Sequence, residues 1–430
     1  MARIVLVGAG SITFAKNLLS DILTFPELTE STIVLHDIDP ARLATAEAMA
    51  TWMVAELGVG AKIEAHADRR AALDGADYVI NEIAVGGLAA VQRDFEIPAR
   101  YGVRQTIADT LGIGGIFRAL RTIPVMVAIG HDLAELAPGA VLFNYTNPMS
   151  MIPWAVYAGT PFRNVVGVCH AARDTQSTLA RMVGVPEEEI SFTTAGVNHQ
   201  AFVLRFERNG ENLYRRLDEL IEADPELRRR VRVEVYQNFG YFPTESSEHG
   251  SEYLPWFLPH ADQVEHYRIP VGVYLDWLAD GFAEYESQKR SLDAGEGVTI
   301  ERGDELASLA IHSMETGTPR LIHGNVRNGG LIANLPADAC VEVPCHVDRA
   351  GVQPTRIGEL PTQLAALNRS TLNVSELTVK AALEGRRDHV YQAALLDPNT
   401  AATLPVRRIR ELVDELIAAH GDLLPEGVRD

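Results

Sequence analysis

The sequence predicts an α/β fold: a doubly wound, mostly parallel sheet in residues 1–195, with a C-terminal α+β part, residues 196–430, packed against it. Three observations carry this. Short β-branched runs alternate with apolar segments at helical spacing up to about residue 195. A Gly8-x-Gly10 turn follows the first run directly and opens a helical segment. Beyond residue 196 charge rises and helical composition dominates, with no low-complexity linker between the halves.

The elements follow in order. Residues 3–7 (RIVLV) have the pattern of a buried parallel strand. Phe14, Leu18, Leu19, Ile22 and Leu23 then recur at helical spacing. Residues 32–35 form a second strand that ends at His36-Asp37, and 41–57 a helix. Further strands are expected at 63–65, 78–83, 141–145, 164–168 and 190–194. In the second half, helical composition dominates over 213–235, and 236–267 reads as an aromatic-rich, loop-like stretch. Helices at 276–292 and 304–316, a sheet element at 321–344, and helices at 360–383 and 406–420 complete the chain.

Composition narrows the function. The chain has 430 residues, enough for a sizeable core. Its 38 basic and 58 acidic residues give a formal charge of −20. Nucleic acid and anionic membranes both require basic surface, so neither is an expected partner. Three cysteines, Cys169, Cys340 and Cys345, cannot build a disulfide framework, which points to a reducing, cytoplasmic compartment. The apolar run after Arg3 meets glycine by residue 8, too early for a signal-peptide core or a membrane span.

The glycine turn is a dinucleotide signal. Gly10 lets the backbone approach a pyrophosphate, and the helix that follows offers free N–H groups and a partial positive charge. Asp37 stands at the end of the second strand, where a carboxylate can accept from both ribose hydroxyls and repel a 2′-phosphate. NAD is therefore favoured over NADP. Thr13 occupies the place of the third glycine of the usual fingerprint. A Rossmann-type domain like that of lactate and malate dehydrogenases is the expected host.

Several segments in one order extend the reading. They are Val7-Gly8-Ala9-Gly10-Ser11, residues 105–110 (QTIADT) with 114–124 (GGIFRALRTIP), 144–149 (NYTNPM), Gly167-Val168-Cys169-His170, Gly196-Val197-Asn198-His199, and 244–249 (TESSEH) with Glu252-Tyr253. Together the set resembles glycoside hydrolase family 4, the NAD- and divalent-metal-dependent glycosidases, over residues 2 to about 405. Cys169-His170 and the 244–249 run are most similar to the α-galactosidase (melibiase) branch. The branch acting on 6-phosphorylated sugars has Asn or Asp after the cysteine, and an arginine near position 91, where this chain has Val91. Both departures point to an unphosphorylated glycoside. Ile113 stands where relatives often have proline, and residues 171–174 (AARD) are not those of a standard melibiase. The added Arg173 would suit a uronic-acid glycoside.

The resemblance implies roles, residue by residue. Cys169 and His199 become ligands of one divalent ion, Mn²⁺ being the family's usual ion, with His249 a further ligand or substrate contact. A buried inert cysteine and a core histidine would be the reading without it. Gly8, Gly10, Ser11, Ile12, Asp37 and Asn144 become the cofactor contacts. Asn147, Asn198 and His199 become substrate contacts, since neutral amides both donate to and accept from sugar hydroxyls. The family's reaction oxidises the sugar at C3, removes the C2 proton, expels the leaving group, adds water and restores the hydride. Tyr253 is the candidate C2 base. A tyrosine, with an ordinary pKa near ~10, needs a neighbouring cation for that work. Asp109 would assist the base and His170 would protonate the leaving oxygen. Glu245 and Glu248 are alternatives for either role. Cys340 and Cys345 read as plain thiols, because a zinc site with His346 lacks a fourth ligand.

The expected activity is hydrolysis of an α-galactoside. An α-glucuronidase, α-galacturonidase or α-glucosidase of the same family is the alternative. Outside the family, the competing readings are an NAD-dependent 2-hydroxyacid dehydrogenase and a non-catalytic NAD sensor. The Cys169/His199 pair is foreign to such dehydrogenases. Homodimers or homotetramers are expected from the resemblance.

Overall fold

The computed structural model describes the backbone of residues 1–430 and all side chains except those of Ile12 and Thr13. The expected cofactor contact of the Ile12 side chain therefore lies outside the described residues. The twelve strands are β1 (Arg3–Val7), β2 (Thr32–His36), β3 (Lys62–His66), β4 (Tyr78–Asn81), β5 (Val141–Asn144), β6 (Val165–Val168), β7 (Ile190–Val197), β8 (Gln200–Arg208), β9 (Glu211–Asn212), β10 (Arg320–Arg327), β11 (Cys340–Asp348) and β12 (Gly351–Pro354).

One sheet holds them all, in the order β3-β2-β1-β4-β5-β6-β10-β11-β7-β8-β9, with β12 beside β11. β1 to β6 pair in parallel, and the strand order reverses direction at β1. This is the doubly wound arrangement expected, with its ligand crevice at the carboxyl edge of β1 and β4. β10 joins β6 antiparallel, and the remaining pairs are antiparallel as well. The sheet thus runs without a break from the dinucleotide half into the second half. Strands β1, β2 and β4 are apolar throughout most of their length because both faces are covered by helices.

The helix Gly112–Leu136 is the longest and is apolar enough to cross a membrane. Here it is a core helix. Most of it is buried, against the helices Gly87–Tyr101, Ile152–Gly159 and Thr362–Glu384. It also carries Arg121, which pairs with the buried Asp94 at 2.7 Å.

Two stretches of the second half are more finely divided than their composition shows. The helical stretch at 213–235 resolves into two helices, Tyr214–Ala223 and Val231–Phe239. Pro225 explains the break, since the residue before a proline is pushed out of the helical region; Asp224 has φ −117 and ψ 100. The loop at 236–267 holds the short helices Ser247–Glu252 and Ala261–His266. The final long helix, Val406–His420, falls where its periodicity put it. Cys340 and Cys345 are buried free thiols of β11, and neither joins a cluster of metal-ligating groups among the described residues.

Candidate active site

The nucleotide turn is built as its glycines require. Gly8 has φ +93, and a Cβ there would sit 3.0 Å from the backbone of Glu82 and Ile83. Gly10 donates its N–H to Asp37 Oδ2 at 2.9 Å, and a Cβ on it would lie 2.5 Å from that oxygen. The closest neighbours of Gly10 are thus Asp37 and Arg42. Asp37 Oδ1 accepts from Asp39 N–H at 2.8 Å, so the carboxylate is held at the end of β2 with lone pairs to spare. The helix Ile12–Thr24 begins with no side-chain cap at Ser11 and no acid in its first turn. Its free N–H groups suit an anion. By contrast, the next helix, Pro40–Leu57, is capped by Asp39. Asn144 is buried, and its amide accepts from Asn81 and donates to the Thr146 carbonyl, so its hydrogen bonds are made within the protein.

Cys169 directly follows β6, and His199 lies in the two-residue turn between β7 and β8. Cys169 Sγ and His199 Nε2 are 3.4 Å apart. Glu245 Oε2 lies 3.4 Å from the same nitrogen. The donor atoms of all three fall within 4.8 Å of one another. A soft thiolate, an imidazole and a carboxylate suit a divalent transition ion and leave coordination positions open for substrate oxygens. Asp109, His199 and His249 form a second such group, which shares His199 with the first.

Among the described residues, five non-glycine positions have a left-handed backbone, and Ala108, His199 and Glu245 are three of them. Sparsely populated backbone conformations collect at functional sites, where surrounding contacts enforce them. Glu245 is held by Ser246 N–H at 3.1 Å and by Arg232, which donates to its carbonyl.

His199 Nδ1 lies 3.0 Å from Tyr253 Oη and 3.1 Å from Thr110 Oγ1. Tyr253 Oη is also 3.0 Å from His249 Nδ1. Thr110 donates to Asp109 Oδ1 at 2.8 Å, and Asn147 donates to Asp109 Oδ2 at 2.7 Å. Asn147 Oδ1 is buried without a partner among the described residues, which fits a group that awaits a substrate hydroxyl. Asn198 donates instead to the buried Glu342 at 2.9 Å and backs the Cys169 side of the site.

Electrostatics follows burial. Burial first, then Glu245 and Glu342, pushes the Cys169 thiol well above its ordinary range. Burial and then His249 push His199 down to about 4, which keeps the imidazole neutral, as a ligand must be. Burial works to raise the Asp109 carboxyl, but His249, Arg118 and His199 outweigh it and hold it below the usual range. Glu245 is likewise raised by burial and lowered further by His199 and His249. Burial, with Asp109, Glu252 and Glu245 adding to it, holds the Tyr253 phenol well above its ordinary value. His170 stands apart from this group. Its Nε2 lies 3.2 Å from Glu305 Oε2 and its ring is near Tyr145. Glu305 raises its pKa against the effect of burial.

Residues 3–185 match the Family 4 glycosyl hydrolase pattern, and residues 194–400 match the Family 4 glycosyl hydrolase C-terminal domain. The chain belongs to glycoside hydrolase family 4. It is 41% identical to an alpha-galactosidase of Bacillus subtilis (strain 168) over 99% of this chain and 100% of that one. It is 35% identical to an alpha-galactosidase of Rhizobium meliloti (strain 1021), over 99% and 89%. A 6-phospho-alpha-glucosidase from gut microorganisms, solved in complex with NAD and Mn²⁺, shares the fold with a TM-score of 0.83 at 20% identity, covering 99% of each chain.

In this family 4 glycosidase, three features had no individual signal in the sequence. Glu245 lies in the 244–249 run, where the sequence suggests an acid or base and not a neighbour of the thiol. Thr110 and Glu342 were not singled out. Glu252 Oε1 accepts from Thr106, Ile107 and Ala108 N–H at 2.7, 3.0 and 3.0 Å. Burial, opposed by these bonds and His249, pushes its carboxyl up to about 7. Arg173, the residue that suggested a uronide, pairs with Asp304. Val91 packs in an apolar cluster with Phe95, Ala108 and Tyr274.

Proposed function

We propose that this glycosidase hydrolyses an unphosphorylated α-galactoside with NAD⁺ and a divalent ion, Mn²⁺ by preference, through redox-assisted elimination. One observation carries the reading: a thiol, an imidazole and a carboxylate converge within 4.8 Å, and the imidazole's other nitrogen is 3.0 Å from a buried tyrosine. When bound, the dinucleotide supplies reversible hydride transfer at sugar C3 and the ion supplies Lewis-acid polarisation beside it. All other functions fall to the chain.

Cys169, His199 and Glu245 would hold the ion. The N-terminus of the helix Ile12–Thr24, the Gly8–Ser11 turn and Asp37 would hold the dinucleotide, with Asp37 disfavouring a 2′-phosphate. With Nε2 turned to the ion, His199 carries its proton on Nδ1 and donates to Tyr253 Oη, which can then donate to His249. Tyr253 takes the C2 proton in this reading; a bound cation would favour its phenolate form against the burial that holds the phenol up. Asp109 and Asn147 act as one unit that orients sugar hydroxyls. His170, kept proton-rich by Glu305, protonates the leaving oxygen. Asn144 and Asn198 support the cofactor and ion sites from behind.

An apolar Val91 gives a 6-phosphate no cation, and the Arg173 guanidinium is engaged by Asp304, so a neutral sugar stands ahead of a phosphorylated or uronic one. The test is a panel of nitrophenyl α- and β-glycosides, galacturonides included, with NAD⁺, Mn²⁺ and reductant. The α-galactoside should be cleaved fastest. Failure to cleave any member overturns the reading.

A further inference from the structure

Glu82 follows β4 and lies against the nucleotide turn: the missing Cβ of Gly8 faces its carbonyl carbon at 3.0 Å. Both of its carboxyl oxygens are buried, and neither has a hydrogen-bond partner among the described residues. Two other carboxylates share the cleft. Asp37 comes from the end of β2 and Glu305 from the start of the helix Leu306–Thr316. Asp37 is satisfied, whereas Glu305 Oε2 makes no hydrogen bond among the described residues and only faces a histidine. Asp37 accepts two backbone N–H bonds, and Glu305 lies 3.2 Å from His170, with its backbone N–H held by Asp21 at 2.6 Å. Arg42, the nearest cation at the turn, is committed to the Gly10 carbonyl at 3.0 Å and to the face of Tyr285. A third buried charge here would meet two like charges and no counter-ion, beside a site whose ligand is itself an anion.

We infer that Glu82 contacts the bound dinucleotide directly, entering the cleft as the neutral acid and donating its O–H to an acceptor oxygen of the cofactor. A neutral donor removes the repulsion that a carboxylate would exert on a pyrophosphate, and the cofactor oxygen fills the hydrogen bond left open among the described residues. Burial first, then Glu305 and Asp37, holds the Glu82 carboxyl well above the ordinary range, in keeping with that state. The inference rests on the NAD⁺ reading above.

The test is calorimetric titration of NAD⁺ into the full-length protein, wild type, Glu82→Gln and Glu82→Leu, with thermal unfolding as the folding control. The amide of Glu82→Gln keeps a neutral donor, so its affinity should stay close to that of the wild type. Glu82→Leu removes the donor at similar bulk and should bind at least about tenfold more weakly, the scale of one lost hydrogen bond. If both variants bind more tightly, Glu82 is a carboxylate that repels the cofactor and the inference fails. If both match the wild type, Glu82 makes no contact and it also fails. If folded wild type itself does not bind NAD⁺, the cofactor reading falls first, which separates the two failures.

Discussion

The Glu252 carboxylate accepts the Thr106 N–H at 2.7 Å, so the residue beside Tyr253 also fixes the turn that delivers Asp109. With Ile107 and Ala108 also bonded, one side chain ties the two halves of the site together. Glu252→Ala leaves three buried donors unmet and should let the 106–110 turn shift. Misplacement of about an ångström costs on the order of 10²-fold in rate, and kcat should fall on that scale. Mn²⁺ affinity, set by other residues, should not change. A loss of metal binding in parallel with kcat would show general unfolding of the site instead.

The two candidate ion groups share His199. Cys169→Ser and Glu245→Gln should each weaken Mn²⁺ binding by at least roughly tenfold, since each removes a first ligand or its charge. His249→Gln should leave it unchanged. Titration of Mn²⁺ into metal-stripped protein reads all three. Chelation should abolish glycoside cleavage, and added Mn²⁺ should restore it.

Asp37 is held by two backbone N–H groups, which fixes its carboxylate where an adenosine ribose is expected to lie. Asp37→Ser removes the charge that opposes a 2′-phosphate. NAD⁺ affinity should fall and NADP⁺ affinity should rise, narrowing the ratio by about tenfold or more. Paired binding titrations with the two nucleotides measure it.

Asp397 caps the helix Pro398–Thr403 by accepting from Thr400 N–H at 2.8 Å, and burial pushes its carboxyl up to about 6 from 3.8. The folded state therefore holds this proton more tightly than the unfolded state. Its contribution favours folding at low pH and is lost as pH rises from about 4 to about 6, by at most roughly 1.4 kcal/mol per unit. Asp397→Asn abolishes that dependence. The Tm difference between variant and wild type should shift in the variant's favour across this window and level off above it.

Much of the scaffold was legible because its signals are local. β1 and the nucleotide turn announce themselves in residues 3–10, and Val406–His420 in its periodicity. Cys169 and His199 were legible as a pair only through the family resemblance, although both follow strand ends at the carboxyl edge, where this sheet collects ligands. Their third neighbour was not, because Glu245 reaches them by a left-handed backbone turn that no periodic pattern encodes. Glu252 and Glu82 were hidden for a related reason. The value of each carboxyl lies in the backbone or void it faces, and those come from segments up to about 146 residues away in sequence. Asn144 and Asn198 show the converse. Both sit at site-facing strand ends, yet their amides hydrogen-bond inward, to Asn81 and Thr146 and to Glu342.

The central claim is that the sugar loses and regains its C2 proton during hydrolysis. It is tested most directly by turnover of an α-galactoside in D₂O, with the product analysed by NMR at C2. The account predicts solvent deuterium at that carbon, incorporated only when NAD⁺ and Mn²⁺ are present. Product formed at full rate with protium retained at C2 would contradict it.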